Sequence, residues 1–393
     1  CQSAPAKNKC LDEIGCIEIP PGQPLILGVL RSEKIGPDHH RGIELALAEY
    51  NNQFLGHPIE LQIEDEDCSP EGGTTAALKL VADPQLVGII GTTCSGAAKT
   101  AMEIVSEAGL IMISGSNTAP SLTSLDGIQP ADDWYPGYFR TAHNDATGAL
   151  TAAKFIYHEL GISDVATIND GDPYTQEFTD LFAGIFTALG GDIVYDGVVN
   201  KGDRDMLPIL NAVAAENPSL VFIPLFVDEA VPIVRLAAEL QALKNTEIMG
   251  AGALISDDFV AEIGEQGVGM YFINRDPLDD EAIQKISEDY QTMYGEPIIS
   301  LVFAYIYDAT QIMIAALEDV AVLGEDGTVY IGRQELREKL YATMDFTGVT
   351  GQFNCTSFGD CSMADFVILQ LDDPKQGIGG LLENVVYSTE GAK

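Results

Sequence analysis

Residues 87–123 read VGIIGTTCSGAAKTAMEIVSEAGLIMISGSNTAPSLT, which is one strand-then-loop unit followed by another. The apolar run ending at Gly91 opens into Thr92-Thr-Cys-Ser-Gly96. A helical segment from Ala97 to about Glu107 follows, and Gly109 stops it. The second run, Leu110–Ser114, opens into a loop that carries Ser116, Asn117 and Thr118. Both loops are built from glycine and small hydroxyl residues, so their backbone amides can approach a ligand closely. If the two strands are parallel neighbours, both loops leave the carboxyl edge of one sheet, where open α/β sheets bind ligands. A helix N-terminus beside Ser95 would add N–H groups and a positive dipole end suited to a carboxylate.

The same alternation extends outward in both directions. Leu25–Leu30 reads as a buried strand, and the helix after it places Ile43, Leu47 and Tyr50 on one face. Ile59–Ile63 alternates as a strand, and Thr74–Val81 is expected to be a helix closed by Asp83-Pro84. This β-α-β-α-β order implies a parallel sheet. After Phe139-Arg-Thr141 the alternation restarts. Helix Gly148–Leu160, strand Val165–Ile168 and loop Asn169–Tyr174 lead to a helix with Phe178, Leu181, Phe182, Ile185, Phe186 and Leu189 on one stripe. Strands at Ile193–Val199, Leu220–Pro224 and Ile248–Gly250 alternate with helices Met206–Ala215 and Glu229–Leu240. Beyond these, helices are expected at Glu281–Tyr294, Leu301–Leu317 and Gln334–Met344, with a final strand at Phe366–Leu371. At 393 residues the chain exceeds the roughly 250–300 at which a single core stops growing, so two α/β domains are expected.

Sixty acidic side chains against twenty basic ones give a net charge of −40. Such a surface repels nucleic acid and anionic membranes, so no nucleic-acid partner is expected, and a membrane only through a lipid on Cys1. Acid runs such as Glu64-Asp-Glu-Asp67 read as solvated edges. No run reaches the roughly 18 apolar residues that a membrane-spanning helix needs. The start at Cys1, followed by polar residues through Lys9, is the pattern of a mature lipoprotein carrying its lipid on that cysteine. Six further cysteines remain: Cys10 with Cys16 and Cys355 with Cys361 can each close a short loop, and Cys68 and Cys94 are left over. The even count suggests an oxidising compartment. A zinc site is not indicated, because no Cys-x-x-Cys occurs and His39, His40, His57, His143 and His158 show no ligand spacing.

Catalysis is poorly supported. Ser95 lacks a Gly-x-Ser-x-Gly elbow and an obvious histidine partner. Cys94 is a weak nucleophile if oxidised, and Asp170 and Asp172 lie in the ordinary turn sequence Asp-Gly-Asp-Pro. There is no phosphate-binding glycine loop, so no nucleotide or other cofactor is expected. Hydroxyl-rich loops at the edges of two similar lobes describe instead a cleft for a small ligand.

At Leu86–Thr123 and Tyr138–Val194 the chain resembles the type I periplasmic binding proteins of the leucine/isoleucine/valine-binding class. The resemblance runs over about residues 25–371. It is carried by Gly91-x-x-Cys-Ser95, Phe139-Arg-Thr-Ala142 and the Asp170 to Tyr174 loop, in that order and spacing. It implies two Rossmann-like lobes with parallel sheets, joined by three crossovers and closing on a ligand at a hinged cleft. The expected lobes are 25–142 plus 276–348 and 143–275 plus 349–393, with 1–24 as an anchor tail.

Within that family pattern, Ser95 and the adjoining Gly96 would hold the ligand carboxylate. Cys94 would be bonded to Cys68, pinning the loop. Ser116, Asn117 and Thr118 would supply a carbonyl and hydroxyls, and Tyr174 and Phe226 an aromatic wall. The family's amino-acid binders place a glutamate where this chain has Gly252. Asp228 and Glu229 are the nearest replacements for the ammonium partner, and Asp257 is more remote. The first loop is shorter than in the family, which gives Ser32 and Glu33 two readings, reaching the pocket or lying at solvated loop positions, and the solvated reading is preferred. The resemblance thus implies an extracytoplasmic, monomeric solute-binding protein, not an enzyme, delivering an aliphatic or branched-chain amino acid to ABC permease subunits. An amine-free acid or amide as ligand, and a ligand-sensing role, are the alternatives.

Overall fold

A computed structural model of the chain describes residues 10–125, 127–276, 281–296, 298, 300–362 and 364–388. The chain forms two compact units, Cys1–His143 with Leu278–Met363 and Asn144–Pro277 with Ala364–Lys393, so it passes from one to the other three times.

The first pass through the first unit gives strands β1 (Cys16–Ile19), β2 (Leu25–Arg31), β3 (Gln53–Phe54), β4 (His57–Asp65), β5 (Leu86–Gly91), β6 (Met112–Ser114) and β7 (Tyr138–Arg140). Helices α1 (Asp38–Ala48), α2 (Pro70–Val81) and α3 (Ser95–Glu107) connect them. The sheet order is β3-β4-β2-β5-β6-β7, parallel except at the short β3. Strands β2 and β5 are its centre and are buried almost throughout, which is why both read as continuous apolar runs. The chain leaves β2 toward β4 on one side and returns to β5 on the other, so the switch point lies between β2 and β5. Helix α2 starts at Pro70, four residues before its expected start, because Ser69 caps it by accepting the Gly72 N–H at 3.0 Å with proline at the first helical position.

The second unit follows with α4 (Asp145–Lys154), whose last turn widens into a π-helix over Phe155–Glu159. Strands β8 (Asp164–Asn169), β9 (Asp192–Val198), β10 (Leu220–Ile223), β11 (Glu247–Ala251) and β12 (Tyr271–Arg275) alternate with α5 (Pro173–Leu189), α6 (Leu207–Glu216), α7 (Val227–Glu239) and α8 (Asp257–Ile263). The stripe read on α5 is its buried face. Phe178, Phe182 and Phe186 are at most 2% exposed, and the Phe182 ring lies 4.4 Å from that of Phe222 on β10.

The chain then re-enters the first unit as α9 (Glu281–Tyr294), α10 (Val302–Val320), β13 (Val322–Leu323), β14 (Val329–Gly332), α11 (Arg333–Tyr341), β15 (Phe346–Gly348) and β16 (Gly351–Phe353). It ends in the second unit as β17 (Phe366–Gln370), α12 (Gly377–Glu383) and β18 (Val385–Ser388). Strands β17 and β18 extend the second sheet antiparallel beyond β12.

Two expectations are corrected here. The segment before Pro24 is not merely a tail, because β1 pairs antiparallel with β14 and buries Ile17 and Ile19 completely. Residues 349–363 belong to the first unit, not the second: β16 pairs with β15, and the Cys361 N–H donates to the Arg140 carbonyl at 3.1 Å. The disulfides Cys10–Cys16, Cys68–Cys94 and Cys355–Cys361 are all formed. Cys1 lies outside the described residues. No described helix is long and apolar enough to cross a membrane.

Candidate functional site

In the first unit the two loops that open the sequence reading emerge side by side. Strands β5 and β6 are parallel neighbours, with Ile90 opposite Ile113. Helix α3 begins at Ser95, which leaves the amides of its first turn, at Ser95, Gly96 and Ala97, without an intrahelical acceptor. Ser95 is 3% exposed, and its Oγ accepts the Ala119 N–H at 3.3 Å. The loops are cross-braced: Ser114 Oγ donates to the Thr92 carbonyl at 2.9 Å and Ser116 Oγ to the Thr93 carbonyl at 2.8 Å. The Ser116 and Asn117 amides both donate to Ser114 Oγ. Gly115 presses against α10 so closely that a Cβ there would lie 2.6 Å from the Ile306 nitrogen, which fixes the second loop from behind.

Two residues that the sequence reading did not assign hold this edge in place. Glu66, read as part of a solvated acid run, is wholly buried. Its Oε1 accepts the Thr93 and Cys94 amides at 3.2 and 3.3 Å, and its Oε2 the Cys68 amide at 2.9 Å. It therefore clamps both sides of the Cys68–Cys94 disulfide. Burial pushes its carboxyl up to about 7 against the pull of those three amides. Its one sequence signal is its position two residues before Cys68.

Arg140, also fully buried, spans the second loop. Nη1 donates to the Asn117 and Ala119 carbonyls at 3.3 and 2.8 Å, Nη2 to Thr123 Oγ1 at 2.6 Å, and Nε to Asp360 at 2.5 Å. The Asn117 carbonyl expected to face an ammonium is thus engaged by Arg140. Thr118 is half-buried beside it. Ser32 is not a solvated position either. It is 1% exposed, and its amide donates to Thr93 Oγ1 at 3.0 Å, whereas Glu33 is exposed.

In the second unit, the ends of β8, β10 and β11 bring together most of the expected residues. Asp172 caps α5 by accepting the Tyr174 N–H at 2.9 Å, and Pro173 follows it. Asp170 Oδ1 accepts the Asp172 amide at 3.0 Å and the Thr175 hydroxyl at 2.5 Å, which is the turn chemistry the sequence indicated. Tyr174 is 8% exposed and lies 5.5 Å from the Phe226 ring. Burial raises its hydroxyl pKa well above the ordinary phenol, and the Ala253 amide beside Gly252 donates to it. Lys201, absent from the sequence reading, sits over the Phe226 ring at 5.1 Å and pairs with Asp172 at 2.6 Å.

Of the proposed ammonium partners, Glu229 is 3% exposed and accepts the Gly202 N–H at 2.7 Å. Burial raises its pKa. Asp228 is exposed on the first turn of α7, and Asp257 is exposed and accepts the Ile378 N–H at 2.9 Å. At Gly252 a Cβ would meet only Asn274 Oδ1, at 3.4 Å.

Comparison with known proteins agrees with this architecture. A Leu/Ile/Val-binding protein of Rhizobium johnstonii is 24% identical over 326 residues, covering 82% of this chain and 86% of that one. A leucine binding protein from Thermotoga maritima superposes with a TM-score of 0.76 at 21% identity, covering 89% of this chain and 96% of the other. An ABC transporter solute binding protein from R. palustris, in complex with benzoate, gives 0.73 at 23% identity over 89% and 93% of the two chains. At these identities the structural likeness is one of fold. The model of the family described as periplasmic binding protein matches residues 31–373, and with that match over most of its length the chain belongs to the periplasmic binding protein family.

Proposed function

We propose that this chain is the extracytoplasmic solute-binding component of an ABC transporter and that it captures a small carboxylate-bearing ligand, an amino acid, by reversible binding without chemistry. One observation carries the reading: Ser95 opens α3 at the carboxyl edge of the sheet, with first-turn amides that have no intrahelical acceptor, in a loop pinned by a disulfide and by Glu66. An anionic carboxylate suits such a helix start through both hydrogen bonds and dipole. Gly96, Ser116, Asn117 and Thr118 complete that edge. Within the second unit, Tyr174, Phe226, Asp228, Glu229 and Gly252 are that unit's own candidate ligand-binding residues. The name of the Rhizobium johnstonii relative, a Leu/Ile/Val-binding protein, supports an amino acid as the ligand. The three disulfides suit an oxidising compartment, and a monomeric state and delivery to permease subunits complete the reading.

An amine-free aromatic or aliphatic acid is the second reading, favoured by Gly252, which supplies no carboxylate, and by the benzoate complex of the R. palustris protein. Thermal-shift measurement against amino acids and matched carboxylic acids separates the two, because a saturating ligand stabilises the folded state by about 2.7 kcal/mol at a hundredfold excess over Kd. In either case Ser95→Ala should weaken binding by about tenfold or more, the loss of one hydrogen bond to a charged group. Unchanged affinity in that variant would move the site away from this edge.

A further inference from the structure

Three buried polar side chains gather round Thr92 and Thr93 with hydrogen-bonding groups that no described residue satisfies. Ser32, 1% exposed, leaves its Oγ without a partner although its amide is bonded to Thr93 Oγ1. His39, 4% exposed, lies near the Thr92 carbonyl, yet neither ring nitrogen reaches a hydrogen-bond partner. Asn117, fully buried, has an Oδ1 that accepts from Thr92 Oγ1 at 3.2 Å and Tyr138 OH at 3.1 Å, while its Nδ2 donates to nothing. Each such orphan costs about 1–3 kcal/mol, so three around one dipeptide is a large penalty for the unliganded fold. They sit where β2 and β5 diverge, at the sheet's switch point and directly before Ser95.

We propose that Ser32, His39 and Asn117 form a subsite for an uncharged hydrogen-bonding group, a hydroxyl or carboxamide, at the end of a ligand whose carboxylate is taken by Ser95. This rests on the reading of the Ser95 edge as the binding edge. The three side chains offer donors and acceptors without a net charge. The burial that holds His39 neutral, with its pKa near 3, leaves one nitrogen to donate and one to accept. Beside His39 and Thr93, with Asp38 and Ser300 also in its lining, lies a cavity of about 20 Å³, room for one group the size of a water. An amino acid ending in a hydroxyl or amide meets these orphans, whereas its apolar counterpart of the same shape leaves them unsatisfied.

The test is calorimetric titration of the wild-type protein with two shape-matched pairs, asparagine against leucine and threonine against valine. The polar member should bind at least tenfold more tightly. Ser32→Ala and His39→Phe should each shrink that preference to less than threefold while affinity for the apolar member holds. The melting temperature of unliganded Ser32→Ala should stay unchanged or rise, since an orphaned hydroxyl is removed. Equal or tighter binding of the apolar member, or an unchanged preference in both variants, overturns the subsite and assigns the orphans to bound water. If the ligands bind and Ser95→Ala weakens them without any polar preference, the subsite fails and the Ser95 reading stands. Silence toward all four ligands overturns the subsite as stated, and a Ser95-independent response to other ligands overturns the underlying reading as well.

Discussion

Replacing Glu66 by Gln tests whether a buried carboxyl holds the loop after β5. The wild-type group titrates near 7 in the fold against an ordinary value of 4.5, because burial outweighs the three amides that favour its charged form. A raised carboxyl pKa means that the folded state binds the proton more tightly than the unfolded state. The associated stability is fully present below pH 4.5 and is lost as pH climbs through 7. The shift of about 2.5 units, 7 minus 4.5, corresponds to about 3 kcal/mol at 1.36 kcal/mol per unit. Glutamine keeps an acceptor oxygen but cannot titrate. Urea unfolding of both proteins at pH 4 and pH 8 should therefore show wild type losing about 3 kcal/mol more than Glu66→Gln over that interval. The remaining acidic residues of this strongly acidic chain titrate in both proteins, so their background cancels in the double difference. Parallel pH profiles would refute the argument, because they would mean that Glu66 ionises as freely in the fold as in the unfolded chain.

Two further perturbations probe the same edge. Arg140→Met removes the guanidinium from Asp360, Thr123 and the Asn117 and Ala119 carbonyls, and should destabilise the first unit by about 3–5 kcal/mol in thermal melts followed by circular dichroism; a loss below about 1 kcal/mol would show that Arg140 does not hold the loop. Cys68→Ala with Cys94→Ala opens a loop of 26-residue separation and should cost about 3 kcal/mol in urea unfolding. An unchanged midpoint would mean that Glu66 alone suffices as the clamp.

What was legible in the sequence depended on how far apart the cooperating residues lie along the chain. Strands β2 and β5 and helix α5 announced themselves because each is buried along its whole length or along one stripe, and a local period of residue types records that burial. Strand β1 gave no such signal. Four residues, CIEI, become a strand only by pairing with β14, more than three hundred positions away. The return of 349–363 to the first unit was equally silent, since a bridge from Asp360 to Arg140 leaves no periodic trace.

Ser95 in the first unit and Tyr174 and Phe226 in the second could be singled out as candidates because loops after strands collect such residues and the family pattern orders them. Glu66 and Ser32 were misread for a common reason. A carboxylate among carboxylates and a serine in a polar loop look solvated unless the amides and strands that close over them are known. The two misreadings share a physical consequence. The residues hardest to read as buried are those whose burial costs the most, and a fold that carries such a cost at one sheet edge requires a compensating interaction there. Glu66 finds three amides within the chain, whereas Ser32 Oγ, the His39 ring and Asn117 Nδ2 find none. That difference separates a group whose burial the chain itself compensates from groups whose burial it does not.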